Sequence, residues 1–298
     1  GKEKEIEKFV SEENLTVINE LLQIDVIEPS AVSRNENYGD IPRIESAPHW
    51  PRYFDYLRTK DNPWNESALK SIDISTDKIL QQIPRANQNE FEATGLVVGY
   101  VQAGKTANYT GLICKAADAG YKLIIILAGM SNDLRNQTQS RADEGFVGID
   151  TGEIGSSDSF TKLLKGVGRL DPDLLADPLT TSKQDFHRGF AQQYKSLSNS
   201  NQPFFAVIKK NKFSFNNIIS WLTSIAPSFN DIPLLLIDDE ADHASINTSK
   251  PELDPTTINQ KINELLSIFP KNIYVGYTAT PFANVFIHPN EYTSDEGA

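Results

Sequence analysis

Residues Gly95 to Gly120 read GLVVGYVQAGKTANYTGLICKAADAG and are the most informative part of the sequence. An apolar run breaks at Gly99, a short loop leads to the tripeptide Gly104–Thr106, and a pattern typical of a helix follows. Every fixed position fits G-x-x-x-x-G-K-[ST], and the order of strand, loop and helix is the context in which that spacing forms a phosphate-binding loop. We therefore predict an anion site at the start of a helix.

Each fixed residue of this loop has a chemical task. Gly104 lets the backbone approach phosphate oxygens closely, and the amino terminus of the following helix directs its amides and its dipole at the anion. Lys105 supplies a mobile positive charge, and the hydroxyl of Thr106 is a ligand for magnesium. We predict that the loop binds ATP with Mg²⁺, and that the nucleotide contacts come from Gly99, Gln102, Ala103, Gly104, Lys105, Thr106 and Ala107.

A second motif supplies the carboxylates that a phosphate loop needs. The segment from Leu234 to His243 reads LLLIDDEADH, in which an apolar strand ends in a run of acids. Because the carboxyl ends of parallel strands meet at one edge of a sheet, we expect Asp239 near the magnesium ion and Glu240 near the attacking water. Lys105, Asp239 and Glu240 are the predicted catalytic residues, and Thr106 and Asp239 are the predicted metal ligands.

A third motif lies about one helix further along the chain. The segment from Asn272 to Phe282 reads NIYVGYTATPF, in which a strand ends in small hydroxyl residues. We predict that Thr278, Ala279 and Thr280 lie at the same edge of the sheet and sense the state of the acidic motif.

The apolar runs predict an α/β fold. GLVVGYV, KLIIILA, FFAVIK, PLLLID and NIYVGYT alternate with helical stretches, and runs that are apolar throughout are typical of strands buried on both faces of a parallel sheet. We predict an α/β domain with a parallel central sheet over residues 88–298. Apolar residues recur at helical spacing from Lys2 to Ile27 and from Glu66 to Ile83, which predicts a helical region over residues 1–87. Residues 148–201 are long for one connection and predict an extra helix or flap.

Bulk composition bounds the class of protein. The chain has 298 residues, of which 39% are hydrophobic, enough for one large or two modest cores. Its apolar runs stop far short of the roughly 20 residues of a membrane-spanning helix. No basic, apolar leader precedes the first acidic segment, and a single cysteine, Cys114, excludes an internal disulfide framework. We expect a cytoplasmic protein without a membrane partner.

The net charge of −12 argues against a uniformly basic nucleic-acid surface, although a motor can confine its positive charge to one groove.

At these motifs the chain resembles superfamily-two helicases. GYVQAGKT is similar to their motif one, DEAD at residues 239–242 to motif two, and TAT at residues 278–280 to motif three. The chain resembles the Z-one domain family of bacterial helicase-like proteins more closely still, in GLVVGYVQAGKTANYTGL, LIIILAGMSNDLRNQTQSR, FAVIKKN and LLLIDDEADHASINT. The resemblance runs from about Trp50 to the end. It implies a RecA-like first motor domain of a nucleic-acid-dependent ATPase in restriction-modification or phage defence, with nuclease or other defence subunits as partners.

The resemblance also implies roles for individual residues. Thr278 and Thr280 would couple hydrolysis to motion. Contacts with the backbone of DNA, or of RNA as the alternative, are implied for Asn132, Arg135, Gln137, Arg141, Lys209 and Lys210. Such contacts give salt-dependent affinity without reading sequence. Helicases of this class close a second RecA-like domain over the nucleotide, and only 18 residues follow Thr280. We therefore expect this chain alone to bind ATP weakly and to hydrolyse it slowly or not at all.

Three other classes of function share part of this pattern. A guanine-nucleotide switch has the same phosphate loop, but its guanine-reading motif needs an aspartate where NKFS, residues 211–214, has Ser214. A metal nuclease would use the acidic cluster itself, namely Asp238, Asp239, Glu240, Asp242 and His243. A scaffold that binds nucleotide only as a structural ligand has no need of a water-activating Glu240.

Overall fold

The computed structural model of the chain describes residues 25–27, 48–98, 104–155, 163–194, 196–226, 229–241 and 255–278. Its strands are β1 (Asp25–Ile27), β2 (Phe91–Val98), β3 (Leu123–Ala128), β4 (Asp177–Pro178), β5 (Phe204–Lys209), β6 (Leu234–Asp239) and β7 (Lys271–Thr278). Its α-helices are α1 (His49–Thr59), α2 (Glu66–Gln82), α3 (Lys105–Asp118), α4 (Asn132–Ala142), α5 (Arg188–Ala191), α6 (Lys212–Ile225) and α7 (Pro255–Ser267).

The strands form one sheet in the order β1-β2-β7-β6-β3-β5-β4. Strands β2 to β7 pair in parallel, and β1 joins the edge of β2 antiparallel. Each of the five apolar runs forms a strand where the sequence predicts one. The predicted α/β fold with a parallel central sheet is therefore confirmed.

The sheet is covered on both faces, which explains why its strands are apolar throughout. In β3, Ile124 and Ile126 belong to the core that also contains residues of α1, α2 and α3. Leu123 and Ile125 point the other way, into the core that contains residues of α6 and α7. Because successive side chains of a strand alternate between the faces, every position of β3 is buried.

Helices α1 and α2 pack on α3, the helix that follows the phosphate loop. The last residue of α3, Asp118, accepts hydrogen bonds from the backbone N–H groups of His49 and Trp50 at 2.9 Å and so caps the start of α1. Lys115 of α3 forms ion pairs with Asp73 at 2.7 Å and Asp77 at 2.5 Å, both on α2. The two helices therefore share a core with α3, and a domain boundary at residue 87 stays a prediction.

Part of the predicted amino-terminal helical region differs from expectation. Residues 25–27 lie at the end of a segment predicted as helix, but they form β1, which pairs with residues 96–98 of β2. The backbone groups at the edge of a sheet attract another strand, and this pairing outweighs the local helical pattern. The predicted helix over residues 2–24 lies outside the described residues.

The long connection over residues 148–201 is built of short elements. Its described parts hold turns of 3₁₀ helix, the two-residue strand β4 and the four-residue helix α5, so the predicted extra helix is small. A buried polar chain fixes this connection to α4: Thr180 donates to Gln139 at 2.7 Å, Gln139 donates to Asp143 at 2.9 Å, and Thr151 donates to Asp143 at 2.7 Å. Because each buried polar group has a partner, burial of this polar chain is tolerated.

Among the helices that the structure describes, none combines the length and apolar character needed to cross a membrane.

Candidate nucleotide site

The sheet brings the three predicted motifs to one edge. Strand β2, which leads into the phosphate loop, lies beside β7, and β7 lies beside the acidic strand β6. In register, Val98 pairs with Thr278 and Asp239 pairs with Tyr277. Since the three strands are parallel, their carboxyl ends lie side by side, which is where open α/β sheets bind ligands.

The amino terminus of α3 is open at this edge. Gly104 is exposed at the N-cap position, and a Cβ added there would meet no atom within 4 Å. Lys105 and Thr106 are half-buried in the first turn, and Ala107 is buried behind them. The predicted loop residues Gly99, Gln102 and Ala103 lie outside the described residues.

Lys105 and Asp239 act on each other electrostatically across this edge. Burial raises the pKa of the Asp239 carboxyl above its usual range, and the nearby positive charge of Lys105 counteracts that rise. The neighbouring carboxylate of Glu240 raises the pKa further. The start of α3 and the end of β6 therefore lie close enough for these two charges to interact.

Glu240 adopts an unusual backbone conformation. It is the one non-glycine residue with positive φ, 61°, among the residues that the structure describes. A Cβ added to Gly129, which follows β3, would lie 3.4 Å from Glu240 Oε2, so the carboxylate lies against the end of the neighbouring strand. Left-handed backbone at a non-glycine residue is strained, and such strain clusters at functional sites.

Lys210 holds the backbone turn at Glu240 in place. Its ammonium forms a buried ion pair with Asp238 and donates a hydrogen bond to the backbone carbonyl of Glu240 at 2.7 Å. Tyr274 donates to the other oxygen of Asp238 at 2.7 Å. Lys210 is only 3% exposed, so its predicted contact with nucleic acid is wrong. Its ammonium is buried because the buried carboxylate of Asp238 must be neutralised by a cation. That need was the signal in the sequence: an acid inside an apolar strand requires a partner.

The same contacts bear on the cluster proposed for a metal nuclease. Both oxygens of Asp238 are engaged by Lys210 and Tyr274, which leaves this carboxylate to a structural role. Asp242 and His243 lie outside the described residues. Over the described part of the chain, the side chains of His, Cys, Asp and Glu form no group of three that could hold a metal ion.

The strand β7 is tied to α3 one residue before the predicted coupling motif. The hydroxyl of Tyr277 donates to Asn108 Oδ1 at 3.0 Å, and Asn108 in turn donates to Ser75 of α2 at 2.8 Å. Thr278 is completely buried at the end of the strand. Ala279 and Thr280 lie outside the described residues.

Arg141 reaches the phosphate loop from α4. Its Nη1 donates a hydrogen bond to Thr106 Oγ1 at 3.0 Å. Burial raises the pKa of Tyr109, one turn further along α3, and its hydroxyl interacts with both Thr106 and Thr138. The contact between Arg141 and Thr106 could not be predicted from residue spacing, because a whole strand separates α3 from α4.

The other predicted nucleic-acid residues divide into two groups. Asn132 is exposed and accepts a hydrogen bond from Lys209 Nζ at 2.7 Å, and Gln137 is also exposed. Arg135 is 1% exposed, and its guanidinium donates to the backbone carbonyls of Val207 at 3.3 Å and Thr181 at 2.7 Å. The structure therefore places Arg135 in a structural role, and the prediction that it contacts nucleic acid is wrong.

The burial of Arg135 follows from the composition of α4. The buried positions of this helix are Arg135, Thr138, Gln139 and Ala142. This spacing is the usual spacing of a core-facing stripe, but three of its four residues are polar. Leu134, the one large apolar residue of α4, is exposed, so the hydrophobicity of this helix does not identify its buried face.

The residues at this edge fit a magnesium nucleotide. Thr106 and Asp239 offer a hydroxyl and a carboxylate oxygen, the hard ligands that Mg²⁺ prefers, and this ion is usually held by few protein ligands together with phosphates and water. Among the described residues no atom would lie within 4 Å of a Cβ added to Gly104, so these residues leave room for a phosphate to approach the amides of α3. The chain matches no protein-family model, and a search of curated proteins finds no match either.

Proposed function

We propose that this chain is the first, RecA-like motor domain of a superfamily-two, helicase-like ATPase. It binds ATP with Mg²⁺ and acts on DNA, with RNA as the alternative polymer, together with a second RecA-like domain. The observation that carries the proposal is the placement of Lys105, at the start of α3, and Asp239, at the end of β6, on the carboxyl edge of one parallel sheet, where their charges interact. This is the arrangement that phosphoryl transfer needs, because catalysis there rests on positioning and charge.

In the proposed reaction each residue has one task. The amides at the start of α3 and the ammonium of Lys105 neutralise phosphate oxygens. Thr106 and Asp239 hold the magnesium ion, which supplies neutralisation of charge at the leaving phosphate when it is bound. Glu240 orients a water molecule and accepts its proton. Its fixed turn, anchored by Lys210, keeps the carboxylate in place.

The proposed link to nucleic acid uses the neighbouring loops. Lys209, the last residue of β5, donates a hydrogen bond to Asn132, the first residue of α4, at the same edge of the sheet. Lysine and amide side chains there suit contacts with a phosphate backbone, which position a polymer without reading its sequence. We further propose a place in bacterial restriction or phage defence, beside nuclease or other subunits, and a cytoplasmic location, which a single buried thiol at Cys114 fits.

The test is ATP hydrolysis by the full-length protein, with and without single-stranded and double-stranded nucleic acids. Lys105→Ala removes the loop cation, so we expect ATP affinity and turnover to fall together. Glu240→Gln keeps the shape of the side chain but removes the base, so we expect turnover to fall about 10²- to 10⁴-fold while ATP still binds. Arg58→Ala, an exposed arginine on α1, is the control and should leave both quantities unchanged.

Two results would contradict the proposal. One is hydrolysis that survives both substitutions at the site. The other is ATP binding that Lys105→Ala leaves unchanged, because the lysine would then have no phosphate to contact.

A further inference from the structure

Arg141 lies against the start of α3, beside the predicted nucleotide-binding residues. Its position in the chain suggested a contact with nucleic acid. In the structure its guanidinium donates to Thr106 Oγ1 at 3.0 Å, and Thr106 is the residue next to Lys105. The side chain is exposed, so its charge also faces solvent at the amino terminus of α3.

The packing of α4 fixes Arg141 in this place. One turn earlier on the same helix, Thr138 is buried and interacts with the hydroxyl of Tyr109 on α3. Tyr109 also interacts with Thr106, so Thr138, Tyr109 and Thr106 form one contact surface between the two helices. Arg141 extends this surface to its outer rim. Its approach to the loop is therefore set by helix packing and not by the exposed side chain alone.

The hydrogen bond of Arg141 and the proposed magnesium ion would share one oxygen atom. Mg²⁺ would bind one of the two lone pairs of the Thr106 hydroxyl, and a guanidinium N–H donates to the same oxygen. A bound cation would also repel the positive charge of Arg141. The guanidinium must then turn to another acceptor, and phosphate oxygens at the start of α3 are the anionic acceptors beside it.

We propose that Arg141 is a nucleotide-binding residue. Without nucleotide, its guanidinium donates a hydrogen bond to the Thr106 hydroxyl. When magnesium binds that hydroxyl, the guanidinium donates to the nucleotide phosphates instead. This inference rests on the proposed function and adds a phosphate ligand to it. The planar guanidinium of Arg141 can donate two parallel hydrogen bonds to phosphate oxygens, whereas the ammonium of a lysine cannot match this geometry.

The experiment measures equilibrium binding of a fluorescent ATP analogue to the full-length protein, with Mg²⁺ and with a chelator. Arg141→Ala should weaken binding about tenfold or more with Mg²⁺ and much less with the chelator, because the guanidinium donates to phosphate only when magnesium has taken the Thr106 hydroxyl. Arg141→Lys keeps the charge without the planar guanidinium and should recover only part of the affinity. Arg58→Ala is the matched control, and equal melting temperatures show that the variants remain folded.

The outcomes separate this inference from the proposed function. If Lys105→Ala weakens ATP binding but Arg141→Ala does not, the inference is wrong and the proposed function stands. If Arg141→Ala instead weakens binding of a fluorescent single-stranded oligonucleotide, with ATP affinity unchanged, Arg141 is a polymer contact and the inference is wrong. If neither substitution changes ATP affinity, both are wrong.

Discussion

Tyr277 of β7 and Asn108 of α3 are joined by a buried hydrogen bond of 3.0 Å. The bond connects the helix of the phosphate loop to the strand that ends at Thr278. Burial raises the pKa of Tyr277 well above its usual range, and the charge of Asp239 raises it further, so the hydroxyl keeps its proton and remains a donor. Helix α3 and the end of β7 are thus held together by a neutral polar contact inside the core.

Removal of this hydroxyl tests the connection. Tyr277→Phe leaves Asn108 Oδ1 without this donor, and a buried acceptor that loses its partner costs about 1–3 kcal/mol of stability. We expect a loss of that size in urea unfolding, together with weaker stimulation of ATP hydrolysis by nucleic acid. Tyr56→Phe is the control, because the hydroxyl of Tyr56 makes a longer contact of 3.3 Å at a half-buried position. Equal stability of both variants would show that the Tyr277 contact contributes nothing.

The buried ion pair of Lys210 and Asp238 predicts a strong asymmetry between neighbouring lysines. Lys210→Met leaves a buried carboxylate without its cation, which costs about 3–5 kcal/mol. Lys209→Met changes a half-buried lysine that pairs with Asn132, so we expect little effect on stability. Urea unfolding of the two variants measures the difference.

A double substitution checks the cause of that loss. Lys210→Met with Asp238→Asn removes both charges and leaves an amide oxygen for the Tyr274 hydroxyl, so part of the stability should return. A double variant as unstable as Lys210→Met would show that packing of the lysine, and not the unpaired charge, causes the loss.

The close contact of α3 with α1 and α2 predicts that Gly111 tolerates no side chain. A Cβ there would lie 2.9 Å from the ring of Trp50 and 3.3 Å from Ile72. Overpacking costs about 1–3 kcal/mol, which exceeds the gain of about 1 kcal/mol from replacing glycine with alanine in a helix. We expect Gly111→Ala to lower the melting temperature. Gly95→Ala, where an added Cβ meets no atom within 4 Å, is the control, and a drop of equal size there would contradict this explanation.

The carboxylate of Asp118 predicts a pH dependence of stability. Burial raises its pKa from 3.8 to about 6, while hydrogen bonds from Trp50 and His49 and the charge of Arg52 counteract the rise. A raised carboxyl pKa means that the folded state binds the proton more tightly than the unfolded state. The resulting stabilisation is complete below pH 3.8 and is lost as the pH rises through about 6.

The measurement is urea unfolding between pH 4 and pH 7 for the unchanged chain and Asp118→Asn. We expect the stability of the unchanged chain to fall relative to the variant over this range. Asp133→Asn, at an exposed position of α4, controls for the loss of one surface charge. A constant difference between the unchanged chain and Asp118→Asn would contradict the assignment.

Much of the fold could be predicted from local patterns. The apolar run at β3 predicted a strand buried on both faces, because such a strand has no solvent side on which to place polar residues. The G-x-x-x-x-G-K-[ST] spacing predicted the start of α3, because the loop and the helix are consecutive in the chain. The meeting of Lys105 and Asp239 followed from the parallel direction of the strands, which brings their carboxyl ends together.

The roles of charged side chains could not be predicted in the same way. Arg135 and Arg141 lie six residues apart on one helix, and the same resemblance gave them the same role. The structure buries Arg135 against backbone carbonyls of Val207 and Thr181, and it directs Arg141 to Thr106. Lys209 and Lys210 are adjacent, yet one faces Asn132 at the surface and the other neutralises Asp238 in the core.

Local patterns were sufficient to predict the five apolar strands of the parallel sheet and the edge at which Lys105, Thr106 and the acids of β6 lie. These properties depend on neighbours along the chain and on the direction of parallel strands. Local patterns could not show which lysines and arginines face the site and which complete the core. A buried charge must be neutralised by a partner, and that partner lies on an element distant in sequence.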